Sequence, residues 1–141
     1  MSTCVKHFTC YALCLITAMT TAIAVQAAEA VATPYGPVSL TFKLHKVADA
    51  PVYYVIGLSG VPDAENEGHT SNAGFVVTDA GVVVFDALGT PSLAHELLRQ
   101  IRSITHEPVV RVIVSHYHAD HIYGLQVFAE EGAEIIAPRG A

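Results

Sequence analysis

The sequence predicts an α/β layered domain built on a mixed β-sheet, and three observations predict it. Past residue 38, apolar residues alternate with polar ones, the pattern of half-buried strands. After Pro91 the apolar residues recur every three or four positions, the period of a helix. At 109–114 the chain reads Val-Val-Arg-Val-Ile-Val, a β-branched run typical of a strand covered on both faces.

The elements follow in order. Residues 1–30 read as a secretory signal peptide. Lys6 is the only Lys, Arg, Asp or Glu before Glu29, and an apolar stretch lies between them. Small residues close the segment, so cleavage is expected after Ala27 or Ala30. An uncleaved membrane anchor is the alternative, but Thr9, Thr17, Thr20 and Thr21 make a poor spanning helix. No stable membrane anchor is therefore expected. All three cysteines, Cys4, Cys10 and Cys14, fall inside this segment. The mature chain would carry no thiol, which suits a periplasmic or secreted protein.

Residues 31–51 should hold a linker and the first strand. Thr33-Pro34-Tyr35-Gly36-Pro37 has turn chemistry. Leu40, Phe42 and Leu44 alternate with Thr41 and Lys43, predicting a strand that pairs with residues 52–56 across a short loop at Asp49-Ala50. Residues 60–72 are polar and are expected to be an ordinary solvated loop, with a rim over the site as the alternative. Two short strands, 74–77 and 82–85, flank a hairpin turn at Asp79-Ala80-Gly81. A helix opens at Pro91 or Ser92, carries Leu93, Leu97, Ile101 and Ile104, and stops before Pro108. The β-branched strand ends at Ser115. A short helix with Leu125 and Phe128, a cap at Gly132 and a last strand at 134–137 complete the order.

Composition excludes some functions. The 141 residues carry 7 Lys+Arg against 13 Asp+Glu, a net charge of −6, so no basic face is available for nucleic acid. With 52% hydrophobic residues the chain is also too apolar for a disordered protein.

The chemistry concentrates in Ser115-His116-Tyr117-His118-Ala119-Asp120-His121. It lies at the carboxyl end of a strand, where sites gather in open α/β sheets. In an extended segment His116, His118 and Asp120 share a face, and His121 joins them if a helix starts there. Four donors would then converge on one point. Imidazole and carboxylate suit zinc, and also iron or manganese. Burying such a cluster without a cation would be costly.

The pattern His116-x-His118-x-Asp120-His121, after an apolar strand and before a helix, resembles the metal motif of the metallo-β-lactamase fold. The resemblance runs from about Val52 to the end and includes Asn72-Ala73-Gly74-Phe75-Val76-Val77 and Val84-Phe85-Asp86. It implies an αββα sandwich, of which residues 52–141 supply the N-terminal half only. It implies that His116 and His118 serve one metal while Asp120 and His121 serve a second, giving two Zn2+ in a complete site. Asp120 would hold activated water in line and pass a proton to the leaving group. Asp86 resembles a family Asp that buttresses the metal loop, with a simple turn residue before Gly89 as the alternative. A helix beginning near Ile122 would present N–H groups to an anion.

The chain departs from the family in two ways. Many relatives carry a pair of glycines after the motif where this chain reads Ile122-Tyr123-Gly124, which points away from a thioesterase. The family's second half supplies further ligands, and His45, His69, His95 and His106 match none of them. The expectation is therefore a truncated chain, inactive alone. The complete protein would be a metal-dependent hydrolase of a small amide, ester or thioester substrate. An iron-dependent oxygenase on the same fold and a non-catalytic metal-binding half-domain are the alternatives.

Overall fold

In the computed structural model, residues 33–140 are described. The proposed signal peptide and its cysteines lie outside them. Among the described residues, no helix is long and apolar enough to cross a membrane.

Nine elements follow one another: β1 (His45–Lys46), β2 (Val52–Val55), β3 (Ala73–Thr78), β4 (Gly81–Phe85), α1 (Pro91–Ile104), β5 (Val109–Ile113), α2 (Ala119–Ile122), α3 (Leu125–Glu130) and β6 (Glu134–Ile136). The six strands make one sheet in the order β1-β2-β3-β4-β5-β6. β1 to β4 pair antiparallel, while β4, β5 and β6 run parallel. The mixed α/β sheet is as the sequence predicts. The two-residue turn between β3 and β4 works because Gly81 takes φ +119°.

The core forms between the sheet and α1 with α3. Leu93, Leu97, Leu98 and Ile101 line the inner face of α1 and are buried against Val55, Phe75, Val82, Val84 and Val112. Each such side chain contributes about 1.5–3 kcal/mol on burial. Thr90 caps the helix, its hydroxyl accepting the Leu93 N–H at 3.2 Å, and Pro91 occupies the first turn.

Three expectations need correction. The alternation at 40–44 is real, since Leu40, Phe42 and Leu44 are half-buried and Thr41 and Lys43 exposed, but the ladder starts only at His45. Upstream the chain is a strap over the core. Its backbone is satisfied by side chains: Gln100 Nε2 donates to the Phe42 carbonyl at 2.9 Å, and Ser39 N–H donates to Glu67.

β5 is not covered on both faces. Val109 and Val112 are buried, whereas Arg111 is exposed and ion-paired with Glu134. The reason lies in the register. Tyr54, Gly74, Phe85, Ile113 and Ile136 stand opposite one another across the sheet. No helix among the described residues covers this row, and Phe85 is 49% exposed. The structure therefore holds one sheet and one helical layer of the expected sandwich.

The loop at 60–72 is not an ordinary solvated loop. Asn66, His69 and Ser71 are buried. Asn66 holds the turn: its Oδ1 accepts the Asp63 and Gly68 N–H groups, and its Nδ2 donates to the Val61 carbonyl at 2.8 Å.

Candidate metal centre

The site is built where β4 and β5 end side by side. Beyond β4 the backbone turns sharply, with Asp86 and Leu88 both left-handed at φ 59° and 65°. Such conformations cost on the order of 1–3 kcal/mol and persist only when the surroundings hold them. Here they are held. Asp86 N–H donates to the Ile113 carbonyl at 3.0 Å and Ala87 N–H to the His121 carbonyl at 2.8 Å. The turn aims the Asp86 carboxylate at the histidine segment after β5.

That carboxylate accepts three hydrogen bonds. Oδ1 takes the Ser115 N–H at 2.8 Å, and Oδ2 takes the Ser115 hydroxyl and His121 Nδ1, both at 2.8 Å. Asp86 is thus both the turn residue and the buttress of the loop.

His118 is still extended, at φ −64° and ψ 143°, and the helix starts at Ala119. α2 is one turn long and ends at Ile122, so the helix begins earlier than the sequence suggests. Asp120 sits in its first turn, where a carboxylate is favoured. Asp120 and His121 are therefore neighbours on a helical turn and do not follow the alternation of an extended segment.

The structure brings all four predicted residues together, but as two pairs. His116 Nε2 and His118 Nδ1 lie 3.0 Å apart. His121 Nε2 and Asp120 Oδ2 lie 3.7 Å apart. The pairs adjoin, with the His116 and His121 ring centres separated by 4.1 Å. Among the described residues no three His, Cys, Asp or Glu side chains converge on one point, so the single point suggested by the spacing is corrected, and the two pairs are those the resemblance implies. Each pair still fits an ion. Tetrahedral zinc with bonds near 2.0–2.1 Å sets its donors about 3.3 Å apart. The far nitrogens are occupied: His121 Nδ1 by Asp86 and His116 Nδ1 by Ser115 Oγ at 2.9 Å, leaving each Nε2 facing the pair. Iron and manganese accept the same donors.

Sequence reasoning missed two serines. Ser71 donates its hydroxyl to the Asp120 carbonyl and ties the rim loop to α2. Ser115 joins Asp86 to His116. Neither serine has a periodicity or spacing to mark it. His69 lies under the rim loop, 3% exposed, with its ring 5.0 Å from that of Phe42 and its buried Nδ1 without a hydrogen-bond partner. Burial lowers its pKa below the usual histidine value. His45, His95 and His106 take no part in the cluster.

The rim reading gains support. A cavity of about 350 Å³ opens beside Asp120 and is walled by Asp63, Glu67 and Gly68 of the loop and by Tyr123. The glycine departure also has a structural reason. A Cβ on Gly124 would fall on the Ala87 carbonyl and the Ala94 methyl. Tyr123, by contrast, is 62% exposed, so its position tolerates a large side chain.

Two solved structures resemble this fold. A double mutant of the sec-alkyl sulfatase PisA1 matches with TM-score 0.52 and 27% identity over 70% of this chain and 15% of its own. A metallo-beta-lactamase from Pontibacter korlensis matches with TM-score 0.58 and 20% identity over 70% of this chain and 44% of its own. The chain thus spans less than half the length of either. The sequence profile of the metallo-beta-lactamase superfamily matches residues 66–138, the stretch that runs from the rim loop through the histidine segment to just past β6, and the chain belongs to that superfamily.

Proposed function

We propose that His116, His118, Asp120 and His121 are half of a dinuclear metal centre, zinc in the first instance, in a hydrolase of small amide, ester or thioester substrates. One observation carries the reading. Two donor pairs stand side by side at the end of β5, and the His121 ring of one pair is oriented from behind by the buried Asp86 carboxylate. The likeness to an alkyl sulfatase adds sulfate esters to the substrates to be tried.

A pair of divalent cations, when bound, supplies a Lewis acid and activates water at neutral pH. The chain's own residues do the rest. Asp86 holds His121, and Ser71 holds the backbone of Asp120. Asp120 Oδ2 is then fixed close to His121 and beside the cavity, where it can hold the attacking water in line and carry a proton to the leaving group. The rim loop gives the substrate a wall.

Export to the periplasm or medium belongs to the same proposal and rests on the signal-peptide anatomy of residues 1–30. Metal analysis of the full-length protein, with hydrolysis of β-lactam, thioester and sulfate-ester substrates before and after chelation, tests the reading. Chelator-sensitive hydrolysis restored by zinc supports it. Iron content with oxygen consumption overturns it in favour of an oxygenase.

A further inference from the structure

We propose that Ser115 is a positioning residue of this centre. Its hydroxyl relays the Asp86 carboxylate to His116 and fixes the ring tautomer that leaves Nε2 free to bind a cation. The inference rests on the metal-centre reading and deepens it.

The relay follows from counting protons. A carboxylate only accepts hydrogen bonds, and a hydroxyl has one proton to give. Ser115 Oγ lies 2.8 Å from Asp86 Oδ2, so its proton points there. Toward His116 Nδ1, 2.9 Å away, the oxygen can only accept. Nδ1 must therefore carry the hydrogen, and in a neutral imidazole Nε2 is then a bare lone pair. The same Oδ2 takes the Nδ1 hydrogen of His121 directly. One carboxylate thus sets two rings, one by contact and one through a hydroxyl, and the two rings belong to different donor pairs.

The hydroxyl is well anchored. Ser115 N–H is bonded to Asp86 Oδ1, and the N–H of the preceding Val114 to the Ile136 carbonyl at 2.8 Å. The relay also decides the contact between the first two histidines. With Nε2 of His116 as acceptor, the proton between it and His118 Nδ1 belongs to His118, and a cation binding the pair would take that proton's place. Without the relay, His116 can take the opposite tautomer and donate from Nε2, which blocks the nitrogen that must face the ion.

The test reads tautomers first and affinity second. The 141-residue chain, labelled with 15N-histidine and free of metal, gives long-range 1H–15N spectra that distinguish the two neutral forms. Wild type and Ser115→Thr are expected to hold His116 in the Nδ1–H form. Ser115→Ala is expected to shift it toward Nε2–H. Cobalt(II) titration is expected to show about 10–100-fold weaker binding for Ser115→Ala, with Ser115→Thr restoring it. An Nε2–H tautomer for His116 in wild type overturns the relay, and this needs no variant to fold. An unchanged tautomer in Ser115→Ala overturns it too. If the tautomer moves as expected but wild type binds no cobalt, the relay stands and the metal reading falls. If cobalt binds and the tautomer does not move, the reverse holds.

Discussion

Oδ2 of Asp86 stands 2.8 Å from Nδ1 of His121, two residues 35 apart in sequence that meet because the parallel neighbours β4 and β5 finish at the same end of the sheet. Replacing the carboxylate strands the Ser115 N–H as well as the imidazole. Asp86→Ala is expected to lower stability by about 1.5–3 kcal/mol, the range for hydrogen bonds to a charged group. Metal affinity should fall about 10–100-fold with it. Asp86→Asn should keep the Ser115 N–H bond, and so lose less stability but similar affinity. Urea unfolding and cobalt titration of the three proteins check the order.

His118→Ala should cost metal where His106→Ala does not. His118 Nδ1 faces His116 Nε2 at 3.0 Å. His106 lies between the end of α1 and Pro108, at the far end of β5 from the cluster. Metal content per chain after dialysis against zinc is the measurement, and equal content in both variants removes the assignment of His118.

Gly124→Ala should be among the most damaging single-methyl changes in the chain. The added carbon would meet the Ala87 backbone, which cannot swing away as a side chain can. A loss on the order of 3 kcal/mol is expected, at the upper end of overpacking. Tyr123→Gly next to it should cost far less. Thermal unfolding of the two variants, compared with wild type, decides.

Stability should fall with acid because of His69. Burial depresses its folded pKa, while the unfolded chain titrates near the usual value of about 6.5. Below that value the unfolded state binds the extra proton first, so stability is full above about pH 6.5 and declines down to the depressed folded pKa. His69→Phe keeps an aromatic ring against Phe42 and removes both the orphaned Nδ1 and the titration. Its stability is expected to be flatter between pH 5 and 7 than that of wild type. Parallel slopes in denaturant titrations across that window would contradict this.

Export predicts a mass. Material recovered from the periplasm or medium should lack residues 1–27 or 1–30, and with them Cys4, Cys10 and Cys14. Intact-mass spectrometry and a thiol assay read both.

Where local pattern decides structure, the sequence was readable. Leu93, Leu97 and Ile101 announced α1, and the hairpin at Asp79-Ala80 was plain from its flanking valines. Residues 40–44 have strand alternation but no ladder, because a ladder needs a neighbouring strand and Phe42 instead meets Gln100. The burial of His69, Asn66 and Ser71 was hidden for a similar reason: a polar loop looks solvated until its partners are known. The four donors were legible because histidines and an aspartate at that spacing are chemically unusual. Their division into pairs is implied by the family resemblance and not by the spacing, since it depends on α2 starting at Ala119 and on Asp86 reaching over from another strand.

The strand order has a kinetic consequence. Each strand from β2 to β6 hydrogen-bonds to the one made just before it, so no strand after β1 waits for a later segment to supply its first partner. Sheets that pair in this sequential way keep loop closures short and fold faster than those that interleave distant strands. A chain threaded through a membrane pore from its amino end could therefore zip up strand by strand as it emerges. The histidine segment would be put in place near the end of the process, after the Asp86 turn that receives it.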